Sequence, residues 1–521
     1  MVYDEGEESI VVAGSRAAST ASYLAFSGVF TTIVYGLAFI AIARLLGPSS
    51  YGIYAIAVSI AGAFGAVGNF GVATYFERHI PMLALRKNRE LSLTVASGLL
   101  LIVLLGSAIT LIGLVFSGLL SAAIFHSTSY VLVLYVALVS IVFSMLYGVS
   151  HGALIGFNDG KGSAAVSMIY TLTQTFVSVG LVLYGYGVLG AVTGLLAGLV
   201  LGSIAALARI SRHMHVGISI SMAEFAKRVK SILSFSLPIA GSNFMGALPS
   251  NIAVVLMGVY TLASTVGNYS VAARVASVLG VFTGSFVVLL PFFSGIIATG
   301  KSKEELSSAF SYVLYFMFLF SMPLFLFFIV FAHAIMYTVF PNYESVYVYI
   351  ILMALGTLVS LFGAPAGSFV LSKAKVTKVL AFSSITGITE LVLLFLFIPM
   401  FGVYAAIAVL YFVGTVLSAY LYLNEAKKEG IALRFGKLYR VLAAGAMLLV
   451  VFLLVLLLPV DSTAKLAVGF VLLFAVYPPA LAFARALQRS DFGTIRSVTH
   501  TMPVLGKVIS ALLAYAEVFV K

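Results

Sequence analysis

AIARLLGPSSYGIYAIA, residues 41–57, is the stretch on which the reading of this chain turns. An apolar helix ends near Arg44, Gly47-Pro48 supplies turn chemistry, and a second apolar helix starts at Tyr51. The unit is a helical hairpin, and the rest of the chain elaborates it.

The chain has 521 residues, 62% hydrophobic and 9% charged. Those proportions lie outside the range of soluble domains and inside that of polytopic membrane proteins. A helix that crosses a bilayer needs about 20 mostly apolar residues. About 14 such runs are present by that measure. They lie near 20–44, 51–76, 92–117, 128–150, 163–184, 187–208, 231–258, 266–291, 308–332, 345–366, 377–398, 402–423, 440–459 and 466–487. The expected fold is all-α. The absence of cysteine excludes disulfides and Cys-ligated zinc.

A net charge of +12 admits a nucleic-acid partner, but its placement points elsewhere. Arg78, Arg86, Lys87 and Arg89, then Lys161, then Arg209, Arg212, Lys227, Arg228 and Lys230 fall in alternate loops. Lys373, Lys375, Lys378, Lys427 and Lys428 continue the series, whereas the opposite loops carry only Lys465. The positive-inside rule then places both termini in the cytoplasm of a plasma-membrane protein with anionic lipid as neighbour and no nucleic acid. Residues 1–16 are acidic and lack the basic start of a cleaved signal, so a solvated tail is expected there. Residues 503–521 fit a helix lying in the interface.

An internal repeat links the halves. Gly52-Ile53-Tyr54-Ala55-Ile56-Ala57 and Gly267-Asn268-Tyr269-Ser270-Val271-Ala272 share the pattern GxYxxA at an offset of 215 residues. The same offset pairs Glu90-Leu91-Ser92 with Glu305-Leu306-Ser307, Gly148 and Gly152 with Gly363 and Gly367, and Gly187-Val188 with Gly402-Val403. Six spans per copy is an even number, so the copies share one polarity and are related by an axis along the membrane normal. The expected divisions are a tail over 1–16, a first lobe over 17–215, a second over 216–425, two extra helices over 426–487 and a tail over 488–521. The extra helices are packing partners, a lipid groove or a dimer surface; the sequence does not choose.

The opening hairpin resembles the (R)xLGPxxYGxYA signature of polysaccharide transporters in the multidrug/oligosaccharidyl-lipid/polysaccharide (MOP) superfamily. GALIGFNDGKG (152–162), LSFSLPIAGSNF (233–244), VGNYSVAARVASV (266–278) and FIPMFGVYAAIA (397–408) resemble further segments of that family, in its order and spacing. Tyr404-Ala405 departs from the family at a Gly-Ala step. The resemblance implies a two-lobed fold like that of the MATE drug exporters. It also implies a flippase that moves a polyprenyl-phosphate-linked oligosaccharide to the outer leaflet by alternating access, and not an enzyme. Polysaccharide-assembly glycosyltransferases or a polymerase are its implied partners.

Ionisable groups inside spans are costly unless paired or hydrated, so each is a functional candidate. Arg274 falls on the Arg of the family's YxxAxR segment. It is the candidate phosphate contact, because a guanidinium holds two phosphate oxygens at once; the alternative is a structural Arg that snorkels outward. Glu390 is the acid well inside a span, and is the candidate for a coupling Na⁺ or H⁺ or a partner for Arg274; a protonated Glu bonded to backbone is the plain alternative. Asn243 and Asn251, beside Pro238 and Pro249 in a helix expected to bend, line a polar cavity with Gln174, its neighbours Thr171, Thr173 and Thr175, and Asn69. Arg44 is a substrate contact or, more simply, an interfacial anchor. Glu77, Arg78 and His79 form a cytoplasmic gate with Asp159 or Lys161. No metal site and no organic cofactor are expected.

Three alternatives remain: a MATE-like exporter of small cations, a peptidoglycan-type lipid II flippase and, more distantly, a polyprenyl-dependent glycosyltransferase. The last normally carries paired acids on an early outer loop, and residues 45–50, 118–127 and 185–186 have none. No GxxxxGK[ST] motif is present, so energy comes from an ion gradient, the membrane potential or the substrate.

Overall fold

The computed structural model describes residues 5–68, 71–84, 88–214, 221–284, 289–300, 302–373, 375–432 and 436–487, with short pieces beyond 491. Among these residues every regular element is helical. The helices are α1 (Glu5–Gly68), α2 (Val72–Ala84), α3 (Asn88–Phe125), α4 (Val131–Gly156), α5 (Gly160–Leu181), α6 (Gly187–Ile210), α7 (Met222–Tyr260), α8 (Ala263–Gly284) and α9 (Leu289–Ala298). There follow α10 (Lys303–Val330), α11 (Ala332–Val339), α12 (Tyr347–Ser372), α13 (Val376–Phe401), α14 (Val403–Ile407), α15 (Gly414–Lys428), α16 (Leu438–Leu456) and α17 (Ser462–Phe483).

Eleven helical stretches among the described residues are long and apolar enough to cross a membrane, which makes this a multi-pass membrane protein. The count falls short of the expected 14 partly because two stretches each contain two expected spans. Ser22–Ala66 turns at Gly47, where φ is 70° and ψ 174°, and Gly160–His213 turns at Gly185, where φ is 91°. The expected span at 266–291 is not among the eleven; its described part is α8. The expected second span, 51–76, stops at Gly68, and a separate short α2 follows.

Packing divides the chain into two compact units. One comprises Met1–Gly267 and Ser383–Val403, the other Asn268–Phe382 and Tyr404–Lys521. Packing thus groups α7 and the outer part of α13 with the first six spans, whereas the repeat assigns both to the second copy.

In the first unit, small residues let helices approach closely, the usual device where lipid gives no hydrophobic push. A Cβ on Gly152 would stand 2.9 Å from the Ala73 Cβ, and one on Gly156 2.6 Å from the Phe76 carbonyl oxygen, so the α4 face GALIG carries α2. A Cβ on Gly198 would stand 2.7 Å from that of Gln174, which seats α6 on α5. α7 runs unbroken through residues 238 and 249, where a bend or break was expected.

The second unit has an aromatic core. Phe293, Phe310, Phe318, Phe325, Phe331, Phe369 and Phe452 are all at most 2% exposed. Rings from the two extra helices enter it: Phe452 of α16 lies 5.1 Å from Phe331, and Phe470 of α17 lies 6.1 Å from Phe327. The Tyr477 hydroxyl donates 2.9 Å to the Leu319 carbonyl. Of the three roles open to α16 and α17, packing against α10 and α11 is observed.

Candidate functional site

Where α1, α4 and α5 meet, the interior of the first unit is polar without being acidic. Gln174 on α5 is 5% exposed. Its Nε2 donates 2.8 Å to the Tyr35 hydroxyl on α1, and its Oε1 is buried with no partner. The Tyr170 ring, one turn earlier, meets that of Tyr147 of α4 at a tilt, 4.8 Å away, and the Tyr147 ring lies 5.8 Å from His151. His151 Nε2 lies 2.8 Å from Ser163 Oγ and 3.0 Å from Ser167 Oγ on α5. Thr175 Oγ1 and Ser150 Oγ are also buried without partners. Between 22 and 66, 92 and 125, 128 and 156, and 160 and 213 the sequence has no Asp or Glu. The result is a track of hydroxyl, amide and imidazole groups joining α1, α4 and α5.

Of the expected polar lining, Thr171 is buried beside this track and Asn69 lies outside the described residues. Asn251 on α7 donates 2.9 Å to the Ala247 carbonyl, and its Oδ1 would meet a Cβ on Gly62 at 2.5 Å. Asn243 is exposed. α7 and α13 run parallel: Ser242 Oγ is 3.0 Å from Ser383 Oγ, and a Cβ on Gly387 would meet the Met245 carbonyl oxygen at 2.5 Å. That register puts Glu390, half-buried, level with Pro249. Among the described residues its carboxyl has no hydrogen bond or ion pair. Arg274, on the second unit's part of α8, is exposed, as is Arg44 at the end of the first arm of α1.

The expected gate residues take other partners. Arg78 lies over the Phe235 ring at 5.0 Å, and His79 stacks on Tyr75 at 4.0 Å. Asp159 instead caps α5, accepting at 2.9 Å from the Gly162 amide. It also accepts from Arg209 Nε, from Arg209 Nη2 at 3.0 Å, and lies 3.1 Å from His213 Nε2. Burial alone would raise its pKa, but the bonds from Arg209, His213 and Gly162 outweigh it and hold the carboxyl well below the usual range. A Cβ on Gly162 would crowd the Arg209 Nε at 2.7 Å, and one on Gly160 would stand 2.5 Å from the Thr20 Cα. The glycines of GFNDGKG thus make room for an ion pair that the sequence motif does not reveal.

The second copy has a clamp at the same place with the charges exchanged. By the 215-residue offset, loop 157–159 corresponds to 372–374 and helix end 209–214 to 424–429. Here the loop and the start of α13 supply Lys373, Lys375 and Lys378, and the end of α15 supplies Glu425 and Glu429. Lys375 Nζ donates to Glu429 and, at 2.9 Å, to Glu425, which is 4% exposed and also bonded to Lys378. The Glu429 and Glu425 bonds raise the Lys375 pKa, and the Lys375 bond lowers that of Glu429. The sequence carries no signal for either clamp: the repeat offset sets Asp159 against Ala374 and Arg209 against Asn424.

A family model described as "Polysaccharide biosynthesis protein" matches residues 41–343, more than half of the chain. The chain belongs to the polysaccharide biosynthesis protein family. A comparison with curated proteins finds no sequence match. Solved structures share its fold. The lipid II flippase MurJ, in an inward closed conformation, is 15% identical at a TM-score of 0.71, covering 87% of this chain and 98% of its own. An inward-facing MATE-family multidrug resistance transporter of the MOP superfamily is 17% identical at a TM-score of 0.60, covering 76% and 94%. A MOP-superfamily transporter from Pyrococcus furiosus, described as having a binding pocket of reversed polarity, is 14% identical at 0.51, covering 80% and 94%. This member of the polysaccharide biosynthesis family therefore has the helical fold of MOP-superfamily exporters, as the opening hairpin led us to expect.

Proposed function

We propose that this protein exports a lipid-linked oligosaccharide, carrying its sugar head from the cytoplasmic to the outer leaflet by alternating access. The observation that carries this reading is that residues 22–66, 92–125, 128–156 and 160–213 of the first unit carry no Asp or Glu, which leaves Glu390 of α13 as the acid within its apolar spans. An exporter of small organic cations needs carboxylates to balance a desolvated positive charge. Tyr35, Tyr147, Tyr170, Gln174 and His151 offer neutral donors, acceptors and ring faces instead, the chemistry that sugar hydroxyls use. The family match supports a role in polysaccharide assembly, and the fold match to a lipid II flippase supports a lipid-borne substrate.

In this reading Arg274 contacts the substrate phosphate and Glu390 binds the coupling H⁺ or Na⁺. Both termini face the cytoplasm at the plasma membrane, where glycosyltransferases supply the substrate. The test is the sidedness of lipid-linked oligosaccharide in membranes of depleted cells, read with an impermeant sugar probe. Accumulation on the inner face, relieved by the wild type but not by Arg274→Ala, is the expected result. Unchanged sidedness with lost export of small cations would overturn the reading in favour of a drug exporter.

A further inference from the structure

Arg228 fastens the start of α7 to the start of α3 without a carboxylate. Its Nη1 donates 2.8 Å to Thr94 Oγ1 and 3.5 Å to the Glu90 carbonyl. Its Nε is buried and meets no acceptor. The Glu224 carboxylate, which interacts with it through space, interacts also with Arg89 and is engaged in the α7 capping box, 3.0 Å from Ser221 Oγ. Two turns along α7 from Arg228, Phe235 meets Tyr75 edge-on at 5.8 Å and His79 at 4.9 Å, beneath the Arg78 guanidinium. Ser236 Oγ then donates 3.3 Å to the Gly71 carbonyl. On the face that carries the basic loops, α7 is therefore held to α2 and α3 by rings and by bonds from two guanidinium groups to neutral partners, with no carboxylate accepting from them in the seam.

A buried N–H without an acceptor is costly, and a guanidinium–phosphate fork is stronger than a bond to a neutral hydroxyl. We propose that Arg228, with Arg78, is an entry site for the diphosphate of a polyprenyl-linked lipid, and that this group opens the seam by drawing the Arg228 guanidinium off Thr94. The proposal rests on the lipid-linked substrate proposed above. A ligand shifts a two-state element only by its differential affinity, and the guanidinium is available for a two-pronged contact only when Thr94 has let it go. Thr94 is thus a competitor of the ligand. Removing its hydroxyl strengthens phosphate binding, which a purely structural role would not do.

The chain has no cysteine, so spin labels can be placed at Lys227→Cys and Glu90→Cys in the full-length protein in zwitterionic nanodiscs. The inter-label distance is read while polyprenyl diphosphate, phosphatidylglycerol or inorganic diphosphate is added in separate arms. Polyprenyl diphosphate is expected to lengthen the distance. The half-saturating concentration should fall about tenfold in Thr94→Val, the worth of one hydrogen bond from a charged donor, and rise at least about tenfold in Arg228→Gln. Thr94→Val against wild type keeps the test decisive where Arg228→Gln does not fold. An equal response to phosphatidylglycerol or inorganic diphosphate overturns the proposal by making the site a general anion sensor. So does an unchanged distance, or unchanged affinity in Thr94→Val. An unchanged distance with intact sugar flipping sinks the latch alone; lost flipping evidence sinks the function while the distance response stands.

Discussion

Gly52 and Gly267, the equivalent glycines of the two repeats, stand backbone to backbone. A Cβ on either would lie 3.0 Å from the amide nitrogen of the other, and closer still to the carbonyl of Ala263 or of Pro48. The first glycine of GxYxxA recurs in both copies, and each of the two presents bare backbone at this crossing.

Gly52→Ala and Gly267→Ala should each lower stability by about 3 kcal/mol or more, the upper end for overpacking, since backbone cannot swing aside. Gly148→Ala, where a Cβ meets nothing within 4 Å, should stay within about 0.5 kcal/mol of wild type. Thermal unfolding of the purified protein in detergent measures both; equal melting temperatures for all three would refute the crossing.

Asp159→Asn should cost roughly 1–3 kcal/mol at pH 7 by weakening charge-assisted bonds to Arg209 and His213. Because the folded pKa is depressed, the wild-type advantage is fully present above the ordinary carboxylate range and disappears as pH falls through the folded value. Melting curves from pH 7 to pH 3 should show the wild-type advantage constant down to about pH 5 and shrinking below pH 4. A gap that stays constant down to pH 3 would remove the ionised Asp159 carboxylate as its cause.

Glu425→Gln should be the most damaging single change in the second clamp, at roughly 3 kcal/mol, since it leaves Lys375 and Lys378 facing one another at a buried acceptor. Lys375→Glu with Glu425→Lys should recover part of the loss from either single reversal, with Lys378 opposing full recovery. Chemical denaturation in micelles gives these differences, and additive losses in the double variant would show that the pair does not interact.

Glu390→Gln should abolish uphill transport while leaving substrate equilibration down its gradient, if the carboxyl carries the coupling ion. Counterflow and ion-driven uptake in proteoliposomes separate the two activities. Full ion-driven accumulation by the variant would remove Glu390 from coupling.

The hairpin at Gly47-Pro48 was legible because turn chemistry is local: glycine with a φ of 70° at position 47 is what the dipeptide announces. The repeat was legible because an offset survives without knowledge of contacts. The clamps were not, because Asp159 finds Arg209 50 residues away and only the folded helices bring them together. Nor was the fate of Arg78, which sequence placed opposite Asp159 and packing placed over Phe235. α7 is not broken at residues 238 and 249: proline removes one donor, but the flanking ladder continues around it.

The exchanged polarity of the two clamps bears on how a duplicated chain finds its own halves during synthesis. Two copies of one six-helix pattern invite a loop from one to settle on the helix end of the other. Asp159 brought against Glu425 and Glu429 would be repelled, and Lys375 brought against Arg209 likewise, so each loop accepts the partner encoded about 50 residues downstream and rejects its duplicate. Opposite charge thereby acts as an address label that tells one ancestral copy from the other before either is complete.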